Sequence, residues 1–158
     1  MTSIESIKKL KLIHLALALF MSALAVAAYF IVDKEGGLAA SPEGILNYEV
    51  MAILIVFLLL VTSMLVNRAK LRSIVGQGSL EERMEAYLKA SILHFALLEG
   101  MTLLLTVVFL LSGINNIFLY ALLSIAYFLY HRPHPMKLVT DLKLEGDEED
   151  EIREAFKA

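Results

Sequence analysis

The sequence predicts an all-α integral membrane protein, with four transmembrane helices arranged as two helical hairpins and both termini on the cytoplasmic side. Three observations carry that expectation. Apolar residues make up 58% of the 158-residue chain, and mean hydropathy is +0.70, whereas soluble domains sit nearer half apolar with alternating faces. These residues come in four blocks, Leu12–Val32, Val50–Val66, Ile92–Leu111 and Ile114–Tyr130. Each approaches the roughly 20 residues that a helix needs to cross a hydrocarbon core, with the second and fourth at the short end. Basic residues, finally, concentrate on one side of the blocks. Lys8, Lys9 and Lys11 precede the first, Arg68, Lys70, Arg72, Arg83 and Lys89 lie between the second and third, and Arg132, Lys137 and Lys143 follow the fourth. The loop after the first block sets Lys34 against Asp33, Glu35, Glu43 and Glu49, and Ser112-Gly113 carries no charge. Lys and Arg resist translocation, so this pattern predicts an N-in, C-in, multi-pass protein of the inner (cytoplasmic) membrane.

The first block reads as a span rather than a signal peptide, being too long, lacking a small-residue cleavage signature and preceding three more spans. Ser41-Pro42 signals the start of the second helix, with Pro at its first position. Between spans two and three, Gly76-Gln77-Gly78 breaks the chain and Ser79-Leu80-Glu81-Glu82 forms a capping box. The helix it opens is predicted to run unbroken from Leu80 to Leu111, about 48 Å at 1.5 Å per residue, longer than the bilayer core is thick. After Tyr130, His131-Arg132-Pro133-His134-Pro135 ends the last span, because Pro cannot continue a helix. Residues 1–131 thus form the membrane domain. Residues 132–158 form a cytoplasmic acidic tail holding the run Glu145-Gly146-Asp147-Glu148-Glu149-Asp150-Glu151, expected to be solvated and mobile apart from a short terminal helix, with a partner-binding tail as the alternative. Ile13–Val32 and Leu93–Ser112 align without gaps, matching His14 to His94, Ala16 to Ala96 and Met21 to Met101. A parallel hairpin duplication would leave this trace, and so would chance between Leu- and Ala-rich helices.

Chemistry-bearing residues are few. The chain has no Cys, which excludes disulfides, thiolate metal sites and cysteine nucleophiles. No phosphate-binding loop, dinucleotide fingerprint, zinc-protease or serine-elbow motif occurs. No catalytic residue, metal ligand, cofactor or nucleic-acid partner is expected. Glu99 stands out, lying inside span three some nine residues beyond the inner boundary and so roughly 13 Å deep. A charged side chain at such depth costs about 3 kcal/mol on insertion scales. Glu99, Thr102 and Thr106 share one helical face, while His94 falls nearly opposite. Asn116, Tyr120, Ser124, Tyr127 and His131 line one face of span four. His14, Ala18, Ser22 and Ala25 do the same on span one, and Glu49, Ser63 and Asn67 fall together on span two. Lipid penalises such faces, so they are expected to point into the bundle, where hydroxyl and small residues join helices. By depth, Glu99 is expected to hydrogen-bond Ser22, Ser124 or Tyr120.

The stretch Phe95-Ala96-Leu97-Leu98-Glu99-Gly100-Met101-Thr102-Leu103-Leu104-Leu105-Thr106-Val107-Val108 resembles the carboxylate helix of rotary ATPase proteolipid (c-type) subunits. In that family a mid-membrane Glu or Asp follows a cytoplasmic basic loop among small and aliphatic residues. The resemblance implies that Glu99 would carry a proton or sodium ion, and no other residue maps. Proteolipids, however, pack on Gly-rich helices and keep their termini outside. Here spans one, two and four contain no Gly, and the termini are predicted inside. The whole chain also resembles small, uncharacterised four-span bacterial membrane proteins with a Leu-Glu-Gly stretch in the third helix, a likeness that implies no activity.

The leading expectation is therefore a small non-enzymatic membrane protein, an accessory or assembly subunit that packs against membrane partners or a second copy within the lipid bilayer. The alternative is a proton- or cation-translocating subunit built around Glu99, with Ser22, Thr102, Thr106, Tyr120, Ser124 and Tyr127 as supporting polar groups.

Overall fold

In the computed structural model, which describes residues 3–38, 45–76 and 78–156, the chain is helical with no strand among the described residues. Helix α1 runs Ser3–Glu35, α2 Ile45–Ile74, α3 Leu80–Ser112 and α4 Asn115–Tyr130, followed by two short helices, α5 Pro135–Leu142 and α6 Asp147–Ala155. The first three are long and apolar enough to cross a membrane. The fourth, at 16 residues, rises about 24 Å, short of the roughly 30 Å of hydrocarbon. The Ser41-Pro42 start signal lies outside the described residues.

Sequence and structure agree most closely at the start of α3. The Ser79 N–H donates to the Glu82 carboxylate at 3.0 Å, and the Glu82 N–H donates to the Ser79 hydroxyl at 3.3 Å. These reciprocal bonds satisfy two donors that the helix end would otherwise orphan. From there α3 continues without a break to Ser112, passing through Gly100, whose helical cost of about 1 kcal/mol it absorbs.

The chain divides into two compact units. One combines residues 16–63 with 96–131 and holds most of the apolar helix surface. Ala18, Met21, Ala25 and Ala28 bury one stripe of α1, whose three alanines let a neighbouring helix come close. Leu98, Leu105 and Phe109 of α3 and Ile117, Ala121 and Phe128 of α4 complete the core. Helix α2 gives this core only Ala52 and Ser63 among its described residues, and presents Leu54, Phe57 and Leu58 outward at over 60% exposure. Wide exposed apolar faces are stable only where the solvent is itself apolar, which fits a membrane protein.

The other unit combines residues 1–15, 64–95 and 132–158, and here the structure corrects the expectation of a solvated tail. His131 closes α4. The His134 side chain then accepts from the Met136 N–H and caps α5, with Pro135 in its first turn. Leu138, Val139 and Leu142 from α5, Leu144 from the turn, and Ile152 and Ala155 from α6 are all buried. Buried alongside them are Ile7 and Leu10 of α1 and Met84 and Leu88 of α3. The acidic residues Asp147–Glu151 fill the start of α6 and stay exposed or half-buried, while Ile152 and Ala155 behind them do the packing. Arg83, buried on α3, pairs with Glu148. The Tyr87 hydroxyl donates to Asp141 at 3.2 Å, and the Lys11 ammonium donates to the Phe156 carbonyl while lying 4.4 Å from the centre of its ring. Burial raises the Tyr87 phenol above its ordinary range, and the Asp141 carboxylate adds to the effect. Burial lowers Lys137, which Asp141 partly offsets.

Candidate functional site

Glu99 sits on α3 between buried Leu98 and half-buried Gly100, and is itself half-buried. The exposed face of α3 runs through Ala96, Leu104 and Val107. At 100° per residue, Glu99 borders that face while Thr102 and Thr106 turn inward, both buried.

The hydroxyls form a short interhelical set. Thr102 Oγ1 and Ser124 Oγ lie 2.8 Å apart, joining α3 to α4. Thr102 also donates to the Leu98 carbonyl, Thr106 to the Thr102 carbonyl and Ser124 to the Ala121 carbonyl. The contact between Thr102 and Ser124 fixes the register of the two helices. The Phe109 and Phe118 rings, with centroids 4.8 Å apart, repeat that register two turns on and show the pair to be antiparallel. Stepping back three residues on α3 and forward three on α4 sets Glu99 level with Tyr127.

The expected hydrogen bond from Glu99 is therefore corrected. Among the described residues no group donates to it or accepts from it. Ser124 meets Thr102 instead, one turn away. Ser22 donates to the Ala18 carbonyl of its own helix at 2.8 Å. Tyr120 and Tyr127 are half-buried and line, with Ser124, Val56, Leu60, Met101 and Leu123, a cleft of about 180 Å³ among α2, α3 and α4. Met101 lies two residues, or 200°, around α3 from Glu99, and Glu99 is not among the residues that line this cleft.

Other polar residues find separate roles. His14 and His94 are buried, and His14 packs edge-on against Phe95 with centroids 5.1 Å apart. The His131 ring meets the Tyr127 carbonyl at 3.0 Å. Glu49 of α2 accepts from the Asn116 amide of α4 at 3.0 Å, a link that the helical stripes had left unpaired. Gly37, in the turn after α1, lies against the Ser112–Gly113 backbone, and the Leu38 N–H donates to the Leu110 carbonyl at 2.9 Å. That crossing had no signal in the sequence beyond the two glycines themselves. Among the described residues, no cluster of His, Cys, Asp and Glu could hold a metal ion.

Comparison with family models, curated proteins and solved structures finds no match to this chain.

Proposed function

We propose that this chain is a non-enzymatic, four-span inner-membrane subunit, N-in and C-in, that packs against another membrane protein or a second copy through the face of α3 bearing Glu99. The observation that carries the reading is the state of that carboxyl. It lies among apolar residues, at the edge of an exposed helix face, with no hydrogen bond from its own chain among the described residues. An ionisable side chain facing hydrocarbon without a partner costs several kcal/mol, and such residues ordinarily face a bundle interior or pair with another group. A donor from a neighbouring transmembrane helix supplies what the chain lacks. Ala96 one turn earlier is small enough to let that helix approach.

The second reading, favoured by the same half-buried carboxyl, is a proton- or cation-translocating subunit. Glu99 would then take up and release its ion at the lipid-facing edge of α3, as its likeness to proteolipid carboxylate helices implies. The hydroxyls of Thr102, Thr106 and Ser124 would lie close by.

Mild solubilisation, affinity purification and mass spectrometry of co-purifying chains test the proposal. A stoichiometric partner, or a dimer, retained by Glu99→Gln and lost in Glu99→Leu supports packing, because Gln keeps the shape and the hydrogen-bonding capacity. A chain that purifies alone in all three forms refutes it. Proton flux in vesicles abolished by Glu99→Gln, with the fold intact, would move the assignment to translocation.

A further inference from the structure

We propose that Arg68 and Arg72 of α2 hold the headgroup of an anionic phospholipid whose acyl chain lies along the exposed apolar stripe of the same helix. Leu54, Leu58, Val61 and Leu65 are all exposed and recur at alternating intervals of four and three, which keeps them on one helical face. The next two positions in that series are Arg68 and Arg72, also exposed. From Leu54 to Leu65 the helix rises about 16 Å, close to one leaflet of a hydrocarbon core, and Arg68 follows about 4.5 Å beyond. A lipid placed with its chain on the leucines therefore has its phosphate between the two guanidiniums. Planar guanidinium groups match phosphate oxygens in paired hydrogen bonds. Among the described residues neither arginine makes an ion pair or a side-chain hydrogen bond. Lys70, exposed as well, lies about 160° around the helix from the centre of the stripe and cannot share the site.

A second copy of the chain is the competing occupant, because an apolar series at intervals of four and three also suits a helix pair. Charge decides against it. Two copies inserted in the same direction and paired along this stripe would bring Arg68 and Arg72 against their own equivalents, four like charges with no acid among them. The site is independent of Glu99, which lies on a different helix.

The test is native mass spectrometry of the full chain in detergent with an equimolar mixture of dioleoyl phosphatidylglycerol and dioleoyl phosphatidylcholine. The expected preference for the anionic lipid is about 30-fold, roughly fivefold per guanidinium. It should fall to near parity in Arg68→Gln/Arg72→Gln and persist in Lys70→Gln, with helix content unchanged by circular dichroism. Parity in the native chain overturns the proposal. So does an equal loss in Lys70→Gln, which would reduce the effect to general attraction. A dimer that strengthens when both arginines are neutralised also overturns it, since the stripe would then belong to a second copy.

Discussion

Replacing Gly37 by Ala tests a close backbone crossing, where Gly37 meets Ser112 and Gly113. The added Cβ would lie 2.5 Å from the Ser112 carbonyl carbon and 2.6 Å from both the Ser112 oxygen and the Gly113 nitrogen. Comfortable contact begins near 3.5 Å, so one strand of chain must retreat by about 1 Å. All three obstacles are backbone, which leaves no flexible side chain to yield. The retreat would also stretch the Leu38 N–H bond to the Leu110 carbonyl, now 2.9 Å. Overpacking of this kind costs about 1–3 kcal/mol, and the lost hydrogen bond about 1 kcal/mol more, so the expected destabilisation is about 2–4 kcal/mol. Gly36 supplies the control. Its φ of +76° disfavours Ala, but the space around it is open, so Gly36→Ala should cost only about 1–2 kcal/mol. Unfolding in mixed micelles by dodecyl sulfate titration, followed by circular dichroism, measures both. If Gly37→Ala is no more destabilising than Gly36→Ala, the crossing does not exist as described.

Two further outcomes follow from the packing and one from the charge pattern. Thr102→Val should cost about 0.6–2 kcal/mol, because it removes the bond to Ser124 while Ser124 keeps its bond to the Ala121 carbonyl; Thr106→Val, which breaks only a bond within its own helix, should cost less in the same titration. Burial and Asp141 hold the Tyr87 phenol above its ordinary 10.0, so the folded chain keeps a proton that the unfolded chain sheds, and stability should fall as pH rises past about 10. Tyr87→Phe should flatten that slope in unfolding measured between pH 8 and 11. Reporter fusions at Gly37 and after Ala158 should report opposite sides of the membrane, and the same side for both would sink the four-span topology.

What the sequence disclosed depended on how local its physics was. The Ser79–Glu82 box, the unbroken α3 and the stop after Tyr130 involve residues within a few positions of each other, and each was readable from spacing alone. Hydrophobic blocks located the membrane-length helices. Long-range partners were not readable in this way. Depth counted from a membrane boundary suggested Ser22, Ser124 and Tyr120 for Glu99, but only the contact between Thr102 and Ser124 fixes the α3–α4 register, and it moves Tyr127 to that level. In the tail, the run Glu145–Glu151 masked the spacing of Leu138, Leu142 and Ile152, whose burial needs surfaces from α1 and α3 that the tail sequence cannot specify. Asn116 is exposed rather than turned into the bundle, and its partner Glu49 sits 67 positions away, beyond the reach of helical spacing.

Photo-crosslinking in native membranes shows what meets the Glu99 face of α3. A benzophenone amino acid at Ala96, exposed beside Glu99 on α3, samples whatever meets that face before any detergent is added. A discrete cross-link to another polypeptide is expected, retained with Glu99→Gln and lost with Glu99→Leu. Adducts to lipid alone, unchanged by either substitution, would contradict it.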